Sequence, residues 1–147
     1  MNRIGRSVAM GMLVGLLGVG ACSTMRSAAG GGVQTWSLNT DPTVPGAKGH
    51  VVATPRGANT ELEVKVERLP PAEKSFGKQT YVVFLVPRDG AGPQNMGVLV
   101  PDKDLKAKIK FNTAFKSFDI VVSAEEEPYA SVPSGDQAFR QTINLPT

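Results

Sequence analysis

Between Thr60 and Leu69 the apolar side chains of Leu62, Val64 and Val66 alternate with Glu61, Glu63, Lys65 and Glu67. A repeat of two sends successive side chains to opposite sides, so this stretch fits a β-strand with one dry and one wet face and does not fit a helix. Pro70 and Pro71 end it, because proline has no N–H to offer a ladder. The same signature returns from Leu105 to Phe111, where Leu105, Ala107, Ile109 and Phe111 oppose Lys106, Lys108 and Lys110. Thr80 to Val86 is an almost unbroken apolar run, as expected of a central strand, closed by Pro87 and the Asp89–Gly90 turn signal. Further strands are expected at Gln34–Leu38, Gly49–Thr54, Met96–Val100, Phe118–Ala124 and Phe139–Leu145. Short strands separated by Gly and Pro, with no long helical period, predict an all-β domain over residues 33–147. The expected form is an immunoglobulin-like antiparallel β-sandwich of seven or eight strands, with a closed barrel as the alternative.

The first residues read differently. Arg3 and Arg6 precede an uncharged, apolar run from Val8 to Val19, the order of an export signal. That run is about a dozen residues against the roughly 20 that span a bilayer, so a retained membrane helix is the weaker reading. Val19, Gly20, Ala21 and Cys22 follow and resemble the lipobox of bacterial lipoproteins. The resemblance implies that residues 1–21 are a signal peptide, and that the Cys22 sulfur takes a diacylglyceryl group and its freed amine a fatty acid such as palmitate. A buried cysteine in an ordinary secreted protein is the alternative. Ser23 in place of an aspartate favours the outer membrane by resemblance to enterobacterial sorting signals. Residues 22–32 are small, polar and glycine-rich, with Gly30, Gly31 and Gly32 in succession, and are expected to form a flexible tether.

The chain has 16 Lys and Arg against 13 Asp and Glu; with Arg3 and Arg6 in the signal, 14 basic residues remain, so the exported part is near neutral. That argues against nucleic acid as a partner, since such binders carry surplus cations. Cys22 is the only cysteine and His50 the only histidine. A disulfide within the chain and the usual multi-histidine metal sites are therefore excluded, and no metal or other cofactor is expected.

Two stretches resemble the C-terminal extracytoplasmic domain of anti-sigma-K factors. The first is Leu69, Pro70, Pro71, then Tyr81 to Val86, Asp89, Gly90 and Gly97. The second is Phe118 to Glu125 with Glu127, Pro128, Ser131, Pro133 and Gly135. Phe84 stands where that family usually has an indole, and Tyr129–Ala130 where it has a glycine pair. The resemblance implies a sandwich fold. It does not carry sigma-factor control, which needs a cytoplasmic helical segment and a membrane helix.

Few residues suggest chemistry. Glu125, Glu126 and Glu127 would suit acid–base work or calcium if they converged, but neighbours on a strand face opposite ways. His50 has no nucleophile at a recognisable spacing and reads as a surface strand residue. Lys103, Lys106, Lys108, Lys110 and Lys116 concentrate positive charge in a short stretch. Lys106, Lys108 and Lys110 share one strand face, suited either to an anionic lipid surface or acidic partner or to guarding a sheet edge against aggregation. Trp36 and Tyr129 are expected to pack in the core or at strand ends rather than to form a recognition surface. The expected function is a non-enzymatic, membrane-tethered binding module of the cell envelope, sensory or regulatory in character, with an unidentified envelope protein as partner. An envelope enzyme or metal-binding protein, and a structural surface lipoprotein, are the alternatives.

Overall fold

The computed structural model describes residues 32–146. The expected signal peptide, Cys22 and all of the expected tether but Gly32 lie outside the described residues. The described chain runs β1 (Gln34–Ser37), β2 (Asn39–Thr40), β3 (Lys48–Arg56), β4 (Asn59–Glu67), α1 (Ala72–Phe76), β5 (Thr80–Pro87), β6 (Gln94–Leu99), β7 (Ala107–Thr113), β8 (Ser117–Glu125) and β9 (Gln137–Asn144). These strands form two antiparallel sheets, in the orders β1-β3-β4-β7 and β2-β9-β8-β5-β6. The protein is an antiparallel β-sandwich, as the alternating strands predict. Among the described residues no helix is long and apolar enough to cross a membrane.

All eight anticipated strands are present, with ends shifted by a few residues. Two elements were not anticipated. The extended segment from Gln34 to Thr40 changes sheets at Leu38, so that β1 pairs with β3 and β2 with β9. Leu38 is buried and its N–H donates to the Gly49 carbonyl at 2.8 Å. A Cβ at Gly49 would lie 2.7 Å from Leu38 Cδ1, so a larger residue there would have to displace the Leu38 side chain. Helix α1 follows the Pro70–Pro71 break and stops at Gly77, whose left-handed backbone donates its N–H to the Ala72 carbonyl. Phe76 packs edge-on against Tyr81 with ring centroids 6.2 Å apart, and the buried Tyr81 hydroxyl donates to the Pro70 carbonyl at 2.6 Å. Burial pushes the Tyr81 phenol up to about 12, with a hydrogen bond to Ser75 acting in the opposite direction.

The core lies between the sheets. Val51 and Ala53 of β3 and Leu62, Val64 and Val66 of β4 meet Tyr81, Val83 and Leu85 of β5 and Phe118, Ile120 and Val122 of β8. Every second residue of these strands faces inward. Each large apolar side chain taken from water contributes about 1.5–3 kcal/mol before entropy is counted. Trp36 packs against this core, as expected. On one side of the sandwich the edge strands β6 and β7 approach each other without joining into a barrel. Gly97 makes that approach possible, because a Cβ there would sit 2.8 Å from Ile109 Cδ1.

The five-stranded sheet follows the order of the immunoglobulin sheet that contains strands C, F and G. In the four-stranded sheet β3 and β4 form a local hairpin, where the immunoglobulin sheet pairs strands distant in sequence. The likeness therefore holds at the level of the sandwich.

Register defines two ends. Gln34 lies beside Ala53, and a shallow hollow lined by Gly32, Gln34, Gly57, Lys116 and Leu145 marks the end where the chain enters the domain. Val66 pairs with Ala107 toward the opposite end.

Candidate functional site

The outer face of the four-stranded sheet is wet. Its side chains come from alternate positions of the sheet's strands: His50 and Val52 of β3, Glu61, Glu63 and Lys65 of β4, Lys108 and Lys110 of β7. Register aligns them in rows across the strands. One row runs Ser37, His50, Lys65, Lys108, and the next runs Thr35, Val52, Glu63, Lys110. Lys65 therefore stands directly opposite Lys108. Residues in that relation have Cβ atoms about 4.5–5.5 Å apart, and like charges there destabilise the sheet. Lys65 Nζ pairs with Glu63 Oε1 at 3.5 Å, whereas among the described residues Lys106, Lys108 and Lys110 have no acidic partner within 4.0 Å.

Beyond β6 the chain rises over the far end of this face and frames an open groove of about 590 Å³, lined by His50, Lys65, Glu67, Val100, Lys106 and Lys108, among others. The rim is held firmly. Asp102 Oδ1 accepts the N–H groups of Asp104 at 2.8 Å and Lys106 at 3.0 Å, and the Leu105 carbonyl accepts the Leu69 N–H at 3.0 Å. Leu105 itself adopts φ 62°, a left-handed backbone that only such a fastened turn maintains. Val100 on the rim is 68% exposed. The groove joins the Lys65, Lys106 and Lys108 ammonium groups, the His50 imidazole, the Glu67 and Asp102 carboxylates and an apolar lip.

Of the five lysines that the sequence concentrates, the structure brings Lys106, Lys108 and Lys110 together on this face. Lys103 is exposed on the rim turn, and Lys116 lies at the opposite end of the sandwich. No signal within one segment connects Lys65 and His50 with them, because β4 and β7 pair across two intervening strands.

The outer face of the five-stranded sheet is built differently. Val82, Phe84 and Val121 are fully or almost fully buried there, although no third sheet covers them. Part of their cover is the segment from Glu126 to Gly135, which folds back as a strap and lays Ala130 on the cluster. Asn95 Nδ2 donates to the carbonyls of Pro128 at 2.9 Å and Ala130 at 2.8 Å. Glu125 Oε2 accepts the Ser134 N–H at 2.8 Å and the Ser123 hydroxyl. The three glutamates accordingly separate: Glu125 is buried as a fastening for the strap, while Glu126 and Glu127 are exposed. Tyr129 corrects an expectation. It does not pack at a strand end but is 78% exposed, because the Asn95 clamp on the carbonyls flanking it turns Ala130 inward and leaves the phenol outside.

Beside this cluster Asp119 is buried and receives Arg140 Nη2 at 2.7 Å, Thr142 Oγ1 at 2.8 Å and Arg88 Nη1 at 3.0 Å. Burial pushes its carboxyl up. The hydrogen bonds from Thr142, Arg140 and Arg88, with the Arg140 charge, outweigh burial and hold the group below the ordinary carboxylate range. Every oxygen of this network is satisfied, so its arrangement is that of a structural clasp. Among the described residues no three His, Cys, Asp or Glu side chains group closely enough to share a metal ion.

No protein-family model matches the chain, and no curated protein matches it closely enough to count as a relative.

Proposed function

We propose that this chain is a lipoprotein of the bacterial cell envelope, anchored through Cys22, whose β-sandwich is a non-enzymatic binding module. The observation that carries the reading is the order of its parts. A charged start and apolar run lead to Val19, Gly20, Ala21 and Cys22, and a glycine-rich stretch then leads into the sandwich. Two or more acyl chains on one cysteine give durable anchoring, each buried methylene contributing about 0.8 kcal/mol. The chain enters the sandwich beside Gln34 and Gly57, while the charged groove opens toward the far end. A tethered domain of this design holds its recognition face away from the anchor.

The resemblance of residues 49–145 to the outer domain of anti-sigma-K factors supports an extracytoplasmic setting and a sensory or regulatory role. Ser23 after the cysteine favours the outer membrane. The test is metabolic labelling of cells with a radioactive fatty acid, followed by fractionation. The protein is expected to carry label into the membrane fraction, and Cys22→Ala to lose both label and membrane association. Label that persists unchanged on Cys22→Ala overturns the reading.

A further inference from the structure

We infer that the exposed edge of β7, together with the adjoining groove, binds an extended acidic segment of a partner protein; this deepens the reading of the chain as an interaction module and rests on it. Three observations meet at this edge. Among the described residues β7 forms a ladder with β4 alone; β6 of the other sheet approaches it at Gly97 and Ile109 without pairing, so the ladder groups of its outer edge have no strand partner. Lys106, Lys108 and Lys110 repeat every second residue, roughly 6.6 Å apart along a strand. An extended peptide with an acid at every second position repeats at the same distance, so each carboxylate meets one lysine. At the far end Lys65, Lys108 and His50 add positive charge and donor groups within one groove.

Glu61 and Glu63 belong to β4, and a strand added beyond β7 lies two strand spacings, roughly 9–10 Å, from them. Glu67 and Asp102 line the groove itself, so the acids of the bound segment are matched chiefly by Lys106, Lys108 and Lys110. The lysines alone would also fit protection of an edge against aggregation. Protection does not account for Lys65, which lies on an interior strand directly opposite Lys108 and adds a further ammonium group to the groove. An anionic membrane as the occupant fits less well, because the groove lies toward the end of the sandwich opposite the one the tether enters.

The test uses the full-length protein with its anchor held in nanodiscs of uncharged lipid and three labelled probes: a peptide alternating Thr and Glu, a peptide of equal composition with its acids in one block, and vesicles rich in anionic phospholipid. The alternating peptide is expected to bind best. Replacing Lys106, Lys108 and Lys110 together by Gln is expected to weaken it about tenfold or more, Lys65→Gln about threefold, and Lys116→Gln not measurably. Lys108→Glu places opposite charges across the ladder, so it is expected to raise the melting temperature while abolishing peptide binding, which separates lost binding from lost folding. Equal binding of the blocked peptide overturns the proposal, as does preference for vesicles. Aggregation of the triple variant with undiminished peptide binding also overturns it, in favour of edge protection. A partner captured in cells equally well by the triple variant rejects this site and leaves the module reading standing.

Discussion

The two outer faces of this sandwich solve the same problem in opposite ways. The outer face of the four-stranded sheet is left to water, and its strands alternate strictly, as Leu62, Val64 and Val66 inside and Glu61, Glu63 and Lys65 outside show. The outer face of the five-stranded sheet is covered in part by the strap from Glu126 to Gly135, and β5 and β8 are buried on both sides over most of their length. A covered face fixes its side chains and any polar group beneath it must find a partner. Both oxygens of Asp119 do so, and Oε2 of Glu125 accepts two hydrogen bonds. An open face retains unpaired charge at the surface, and in the proposed function it is the four-stranded sheet that receives a partner.

The contrast can be broken first at its apolar centre. Phe84→Ala, beneath the strap, is expected to cost about 3–5 kcal/mol in denaturant unfolding, whereas Val52→Ala on the open face is expected to cost less than about 1 kcal/mol. Equal costs would mean that the strap does not exclude water. The clasp comes next. Asp119→Asn is expected to cost about 2 kcal/mol, since it weakens three charge-assisted hydrogen bonds at a buried site. Because the folded state lowers the pKa of this carboxyl, its contribution is fully present above the unfolded value of about 3.9 and is lost as pH falls through the folded value. The stability difference between Asp119→Asn and the unaltered protein should thus be constant from about pH 5 to 8 and shrink below about pH 4.

A smaller and more local effect is expected for Glu125→Ala. It leaves the Ser134 N–H and the Ser123 hydroxyl without their acceptor, at a cost of about 1–2 kcal/mol. Hydrogen exchange should accelerate in residues 126–135 before it does in β8. Acceleration spread evenly over the sandwich would show that the strap is not a separate unit. The smallest effect belongs to the open face, where Lys110→Gln should change stability by less than about 0.5 kcal/mol in thermal melts.

The same contrast explains what the sequence reveals. Period-two alternation exposed β4 and β7 directly, and the unbroken apolar run exposed β5, because each signal is local. The burial of Ser123 and Glu125 was not legible: their cover is an irregular segment with no period, held by an asparagine on a different strand. Helix α1 was missed because its five residues are too few to show a helical repeat. The lysines of β7 were visible, but their alignment with Lys65 and His50 depends on a β4–β7 register that skips two strands in sequence. What converges at the groove is a property of pairing, and no motif within one segment records it.

The account is tested most directly by crosslinking the tagged full-length protein in living cells and purifying it from detergent-solubilised envelopes, beside Cys22→Ala. A partner protein recovered with the anchored form and lost with Cys22→Ala is the predicted result. Recovery of the anchored protein alone would contradict its reading as a membrane-tethered binding module.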